Sequence, residues 1–209
     1  MTFDSVVFDL DGTLWDTCGA CAVAWNDVLR EEGLEFREIV ADDVRRVTGK
    51  PHHECIRLTF TEFSSEVIQL LSDRTSIADN AAIARLGGEL YDGVIEGLIK
   101  LRERYRLFIV SNCQSGYIEI FLAQTGLSDL FDDIECWGNT GEAKPENLRR
   151  VIERNRLKSP LMVGDTEGDA AAARACGIPF ALVEYGFGNT ENPDTSHPTF
   201  TSLVELLAP

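Results

Sequence analysis

Two carboxylates stand one residue apart in Phe8-Asp9-Leu10-Asp11-Gly12-Thr13, directly after the short apolar run Ser5-Val6-Val7-Phe8. Neighbouring acids repel, and a cation or a shared proton makes such a pair tolerable. Oxygen ligands of this kind suit a hard divalent ion, so Mg²⁺ is the expected cofactor. The preceding run is too short for a helix and rich in β-branched and aromatic residues; it reads as a buried strand that ends where the acids begin. A sharp turn at Gly12 can then aim both side chains and the Asp11 carbonyl at one point.

The rest of the chain supplies elements that bring other polar residues to the same place. From Asp92 onward the pattern predicts a helix over 94–104, a strand over 107–110 ending in Ser111-Asn112, and a helix over 117–124 stopped at Gly126. A strand over 134–137, a helix over 145–155 with Pro145 in its first turn, and a strand over 161–163 ending in Gly164-Asp165 follow. An Ala-rich helix over 169–176 closed by Gly177, a strand over 180–183, a loop over 186–198 and a helix over 202–207 complete it. Strands alternating with helices imply parallel crossovers, hence an α/β fold with a doubly wound sheet covered on both faces. In such a sheet the strand C-termini open on one edge, where Asp9, Asp11, Ser111 and Asp165 would meet.

Between Trp15 and Tyr91 the apolar spacing is helical and no strand is convincing, with breaks at Gly49-Lys50-Pro51, around Phe63-Ser64-Ser65 and at Thr75-Ser76. The expected organisation is therefore a core of residues 1–15 and 92–209 with an all-helical unit, 16–91, inserted.

Composition narrows the function classes. A chain of 209 residues, 44% hydrophobic, can bury one good core plus a smaller appended unit. Nineteen Lys and Arg against 35 Asp and Glu leave a net charge of −16, which disfavours nucleic acid and anionic membranes as partners. No apolar stretch reaches the roughly 20 residues of a membrane span, and Met1-Thr2-Phe3-Asp4 lacks a basic leader start, so a cytoplasmic protein is expected. Six cysteines read as free, mostly buried thiols. Cys18-Gly19-Ala20-Cys21 superficially resembles a redox pair, but small apolar residues opening a helix are the plainer account. Zinc on these cysteines with His52 and His53 is disfavoured, because adjacent histidines lack the usual gap. The oligomeric state is left open, a monomer included.

Four motifs in order resemble the haloacid dehalogenase superfamily, in its phosphatase branch with a helical cap: Asp9-Leu10-Asp11-Gly12-Thr13, Ser111 after a strand, Lys144 in Ala143-Lys144-Pro145, and Gly164-Asp165-Thr166-Glu167-Gly168-Asp169. Tyr91-Asp92-Gly93-Val94 and Ala173-Arg174-Ala175-Cys176-Gly177-Ile178 further resemble the phosphoglycolate phosphatase-like group. The resemblance implies a Rossmann-like core and hydrolysis of a small-molecule phosphate ester through an aspartyl phosphate. It implies Asp9 as nucleophile, Asp11 as acid and base, and Mg²⁺ on Asp9, the Asp11 carbonyl and Asp165, with Asp169 orienting Lys144 or a metal-bound water. Ser111, the Asn112 N–H, Thr13 and Lys144 would hold the phosphoryl oxygens. Asp11 argues against the dehalogenases and phosphonatases; a sugar phosphomutase is the nearest rival, and a phospho-Asp receiver a more distant one.

The insert is expected to set substrate choice. Arg45-Arg46-Val47-Thr48-Gly49-Lys50-Pro51-His52-His53 is a basic island, and by family analogy the loop around Gly49 meets the leaving group. Lys50, with Arg45 or Arg46, is a candidate for a second anionic group, although solvated charges at a helix end account for the island equally well. Trp15 is a candidate for the pocket wall or for the core at the hinge.

Overall fold

The computed structural model describes residues 3–191 and 193–208; Met1, Thr2, Asn192 and Pro209, which fall in the expected leader-free start, the expected loop and the chain end, lie outside them. Ser5–Phe8 forms β1, and Val6, Val7 and Phe8 are fully buried. After the two-residue β2 (Trp15–Asp16) come α1 (Cys18–Glu31), α2 (Ala41–Arg45), α3 (His52–Thr59) and α4 (Ser65–Leu86), then β3 (Glu89–Leu90). The second half runs α5 (Val94–Arg102), β4 (Arg106–Ser111), α6 (Tyr117–Thr125), β5 (Phe131–Cys136), α7 (Trp137–Thr140) and α8 (Lys144–Asn155). It ends with β6 (Pro160–Gly164), α9 (Glu167–Cys176), β7 (Phe180–Val183), β8 (Thr195–His197) and α10 (Phe200–Leu207).

Six strands pair in parallel in the order β5-β4-β1-β6-β7-β8, with β1 central. Alternation along each strand divides the core. Val6, Phe8, Ile109 and Val163 face one side, packed with Leu98 of α5, Phe121 of α6 and Phe200 of α10. Val7, Phe108, Val110 and Met162 face the other, with Leu148 of α8 and Ala173 of α9. Both faces are covered, as a parallel sheet requires. The chain builds outward from β1 through β4 to β5, then returns to β6 on the other side of β1, so strand order reverses beside β1, where such sheets bind ligands.

Four helices fill the stretch between β2 and β3, as expected from the helical spacing. Four readings need correction. The break at Thr75-Ser76 is absent, and α4 runs unbroken because the Thr75 hydroxyl donates back to the Leu71 carbonyl at 2.6 Å and stays satisfied inside the helix. The insert is also tied off by a strand pair, β2 against β3 with Trp15 opposite Leu90. The expected loop over 186–198 contains β8, a polar edge strand. Trp137, expected to end a strand, instead opens α7.

Candidate active site

Asp9 follows β1, Ser111 closes β4, and Asp165 follows β6; because these strands are neighbours, residues distant in sequence share one edge. The Asp9 N–H donates to the Val163 carbonyl at 2.8 Å, and the turn closes with Leu14 N–H on the Leu10 carbonyl (2.8 Å) and Gly12 N–H on the Trp15 carbonyl (2.9 Å). Gly12 has φ +84°, and a Cβ there would sit 2.3 Å from Asp165 Oδ2. Only glycine lets the turn pass this carboxylate.

Lys144, the first residue of α8, is buried with Nζ 2.6 Å from Asp9 Oδ1 and 2.6 Å from Asp169 Oδ1. Asp169 lies in the first turn of α9, where its Oδ2 accepts the Thr166 N–H (3.0 Å) and hydroxyl (2.6 Å) in a capping box. Asp165 Oδ2 accepts the N–H groups of Phe187 (2.7 Å) and Gly188 (3.2 Å). Asp9, Asp165 and Asp169 each offer an oxygen, and these oxygens lie within 4.8 Å of one another. One ammonium thus faces three buried carboxyls.

The electrostatics follow from that ratio. Burial, reinforced by Asp169 and only partly opposed by Lys144, pushes Asp9 up to about 6. Burial likewise drives Asp165 well above the usual carboxylate range, with Asp169 and Asp9 adding to it. Burial would pull the Lys144 ammonium down, but Asp169 and Asp9 outweigh it and hold the group charged. Such a cluster retains affinity for a proton or a divalent cation. Asp9 Oδ2 is buried without a hydrogen-bond partner, and three carboxylate oxygens are a donor set that fits Mg²⁺.

Asp11 accepts a hydrogen bond from the Tyr117 hydroxyl, with Thr17 Oγ1 at 3.5 Å. Burial raises its carboxyl to about 7, Tyr117 opposing and Asp9 adding to the rise. It therefore titrates near neutrality and can give or take a proton there.

A cavity of about 60 Å³ separates the sheet edge from the insert. Asp9, Asp11, Ser111 and Asn112 line it from the edge, and Gly49 and Lys50 from the insert; Lys144, Asp165 and Asp169 stand around Asp9. Asn112 Nδ2 donates to the Gly49 carbonyl at 2.8 Å, Asn80 Nδ2 to the Ser115 carbonyl at 2.9 Å, and the His53 ring lies 4.9 Å from that of Trp137. These contacts hold the insert over the acids. Ser111 Oγ accepts the Cys113 N–H at 3.3 Å, leaving its own hydrogen for a ligand.

Two expected residues are placed elsewhere. Thr13 directs its hydroxyl to Asp165 Oδ1 at 3.4 Å and is not on the cavity wall. Of the two roles weighed for Trp15, the structure has the core one: it is fully buried, edge-on to Phe121 at 5.0 Å and Tyr117 at 5.6 Å. Arg45 is paired with Asp16 and Asp42, and Arg46 with Asp43, so the basic island is largely neutralised. Lys50 is exposed and, among the described residues, forms no ion pair. Cys18 and Cys21 are buried, and burial holds both thiols above their ordinary value, as helix-opening small residues and not a redox pair.

Sequence reasoning missed Asp79, His52, Trp25 and Tyr117, which also line the cavity. A signal for Asp79 existed: Leu71, Thr75, Asp79 and Ile83 recur every fourth residue along the buried stripe of α4, where an acid stands out among apolar neighbours; its Oδ2 accepts the Trp25 Nε1–H at 3.2 Å.

Residues 6–183 match the model of the haloacid dehalogenase-like hydrolases. Among curated relatives, the phosphoglycolate phosphatase of Rhodobacter capsulatus is 30% identical over 192 residues, 89% of this chain and 86% of its own. That of Vibrio vulnificus is 28% identical over 218 residues, 97% of this chain and 93% of its own. Among solved structures, a haloacid dehalogenase-like family hydrolase of Streptococcus pneumoniae superposes with a TM-score of 0.85 at 21% identity, over 98% of each chain.

Removing Lys144 leaves three buried carboxyls without a counter-charge. In EDTA at pH 7, Lys144→Ala is expected to lose about 3–5 kcal/mol of unfolding free energy, read by urea denaturation. The carboxyls have folded-state pKa values raised above their unfolded ones, so protonation favours the folded state. Without the ammonium these values rise further, so the deficit relative to the unsubstituted protein should shrink as pH falls towards about 6, the Asp9 value, and level off below it. A deficit independent of pH would contradict this electrostatic account.

Proposed function

The chain belongs to the haloacid dehalogenase-like hydrolases as one of their phosphatases, and we propose that it cleaves a small phosphorylated metabolite through a phosphorylated Asp9, with Mg²⁺ as cofactor. The observation that carries this reading is the pairing at the cavity floor: Asp9 with one oxygen on Lys144 and the other unpartnered, beside an Asp11 that titrates near neutrality. In this reading residues 16–91 act as a helical cap over a catalytic core of 1–15 and 92–209.

A phosphate monoester is dianionic, and a carboxylate approaches it only where the charge is screened. The Lys144 ammonium, the Ser111 hydroxyl and the Asn112 backbone N–H would receive its oxygens, where charge spreads in the transition state. Asp9, the Asp11 carbonyl and Asp165 would hold Mg²⁺, which when bound supplies further charge screening at the ester oxygens. Asp169 fixes Lys144 in place through its 2.6 Å contact.

Asp9 attacks phosphorus, the ester P–O bond breaks, and Asp11 protonates the departing alkoxide. Asp11, now ionised, takes a proton from a water that attacks the aspartyl phosphate; inorganic phosphate leaves and both carboxyls are restored. The same group serves both halves because its pKa lies near working pH. The insert excludes bulk water from the cavity during this sequence.

Released phosphate from a panel of small phosphate esters tests the proposal. EDTA should abolish turnover and Mg²⁺ restore it, while Asp9→Asn should lose on the order of 10³-fold or more in kcat with its circular dichroism unchanged. Turnover surviving in Asp9→Asn would overturn the covalent route. At the cavity mouth Lys50 is proposed to meet a second anionic group. Lys50→Ala should then cost about tenfold more in kcat/KM on a carboxylated ester than on a neutral one, the worth of one charge-assisted contact; equal losses would remove Lys50 from substrate choice.

A further inference from the structure

The two oxygens of the Asp11 carboxyl are not equivalent. Oδ1 is bonded to the Tyr117 hydroxyl and has Thr17 Oγ1 at 3.5 Å. Oδ2 forms no hydrogen bond among the described residues and, unlike Asp9 Oδ2, is not fully buried in the wall of the cavity that Asp11 lines. Three elements meet at Oδ1: the turn after β1 carries Asp11, Tyr117 opens α6, and Thr17 immediately precedes α1. Thr17 Oγ1 lies 2.6 Å from the Tyr117 oxygen, with the Cys21 thiol 3.8 Å behind it, so a row of hydrogen-bonding groups ends on the carboxyl. Thr17 and Tyr117 have one hydroxyl hydrogen each, and whichever way round the hydrogens run, the same heavy atoms hold Oδ1 in place.

The Tyr117 ring is as firmly set as its hydroxyl. Gly116, with φ +84°, turns the chain into α6, and Tyr117 is 3% exposed with its ring edge-on to Trp15. Phe121, one turn along α6, packs on the same indole. Phenylalanine would fill this space as well, so the hydroxyl is what tyrosine adds. A buried phenol needs a polar partner, which Thr17 alone supplies; the contact with Asp11 goes beyond that need.

Resting on the phosphatase reading above, we propose that Tyr117 is a positioning residue: by tying down Oδ1 it presents Oδ2 of Asp11 to the ester oxygen of the substrate. It acts through Asp11 and not on the reacting atoms. In the first half of the reaction the Asp11 Oδ2–H bond breaks as the ester P–O bond does, and the proton goes to the departing alkoxide oxygen. In the second half Oδ2 takes a proton from the attacking water. A carboxyl free to turn about its Cβ–Cγ bond would lose this alignment, and a misplacement of about 1 Å can cost on the order of 100-fold in rate. Thr17 carries the restraint to the root of the insert.

Leaving groups separate this role from a packing one, because only a poor leaving group needs the proton. Phosphoglycolate and ethyl phosphate release alkoxides, which are strong bases, whereas acetyl phosphate, also of two carbons, releases acetate, which departs unprotonated. The quantity to compare is kcat/KM in Mg²⁺, which covers the steps up to departure of the leaving group, for the native protein and Tyr117→Phe. The ratio of whichever alkyl ester is turned over to acetyl phosphate should fall by at least about tenfold in Tyr117→Phe, and further in Asp11→Asn. A Tyr117 that only packs would lower all three substrates alike, or none, and leave the ratio standing; that overturns the inference while the phosphatase reading survives. Thr17→Val removes the hydroxyl behind Tyr117 and should move the ratio in the same direction. Should circular dichroism show Tyr117→Phe unfolded, an unchanged ratio in Thr17→Val overturns the inference in its place. No phosphate release from any of the three by the native protein would take down both.

Discussion

A single ammonium group, Lys144 Nζ, lies 2.6 Å from a carboxylate on either side, and the acidic edge of the sheet depends on it. Parallel strands necessarily bring their C-terminal ends together, and here those ends carry Asp9 and Asp165, with Asp169 one turn further on. Three buried acids in mutual reach would repel one another apart. Lys144 offsets part of that repulsion, and α8 is placed so that its first residue arrives there. What it leaves uncompensated is a buried acidic cluster of the kind that retains affinity for a proton or a divalent cation.

The insert completes the site from above with different chemistry. The sheet edge presents charge, whereas α4 and α3 present Asp79 and His52, buried and poor in counter-charge. Burial lowers the His52 imidazole to about 4 and raises the Asp79 carboxyl to about 8, so near neutrality both are held largely uncharged. One cavity therefore has a charged end at the sheet edge and an uncharged polar end on the insert. The contacts from Asn112 to Gly49 and from His53 to Trp137 join the halves.

Much of the edge was legible in the amino-acid order, because polar residues that end short apolar runs can only collect at one side of a parallel sheet. Asp9, Ser111 and Asp165 are such residues, and all three sit where that logic puts them. Lys144 needed the family resemblance, since a lysine opening a helix looks no different from a solvated one. The insert was less legible. Thr75-Ser76 reads as a break, yet a hydroxyl bonded back to Leu71 keeps α4 whole, and dividing that helix concealed the four-residue spacing that puts Asp79 inward. Strands of two or three residues, β2, β3 and β8, carry too little pattern to register, and the polar Thr195-Ser196 of β8 is tolerated because it lies at the sheet edge. Trp15 shows the limit of proximity arguments: it lies six residues from Asp9 and belongs to the core.

The central claim is that phosphorus becomes bonded to one carboxylate among the several gathered at this edge. Acid-quenching the protein during turnover and reducing with borohydride converts an acyl phosphate to homoserine, which peptide mass spectrometry locates. The account predicts homoserine at position 9 alone, dependent on substrate and Mg²⁺. Homoserine at position 11, 165 or 169, or none at all while phosphate is being released, would contradict it.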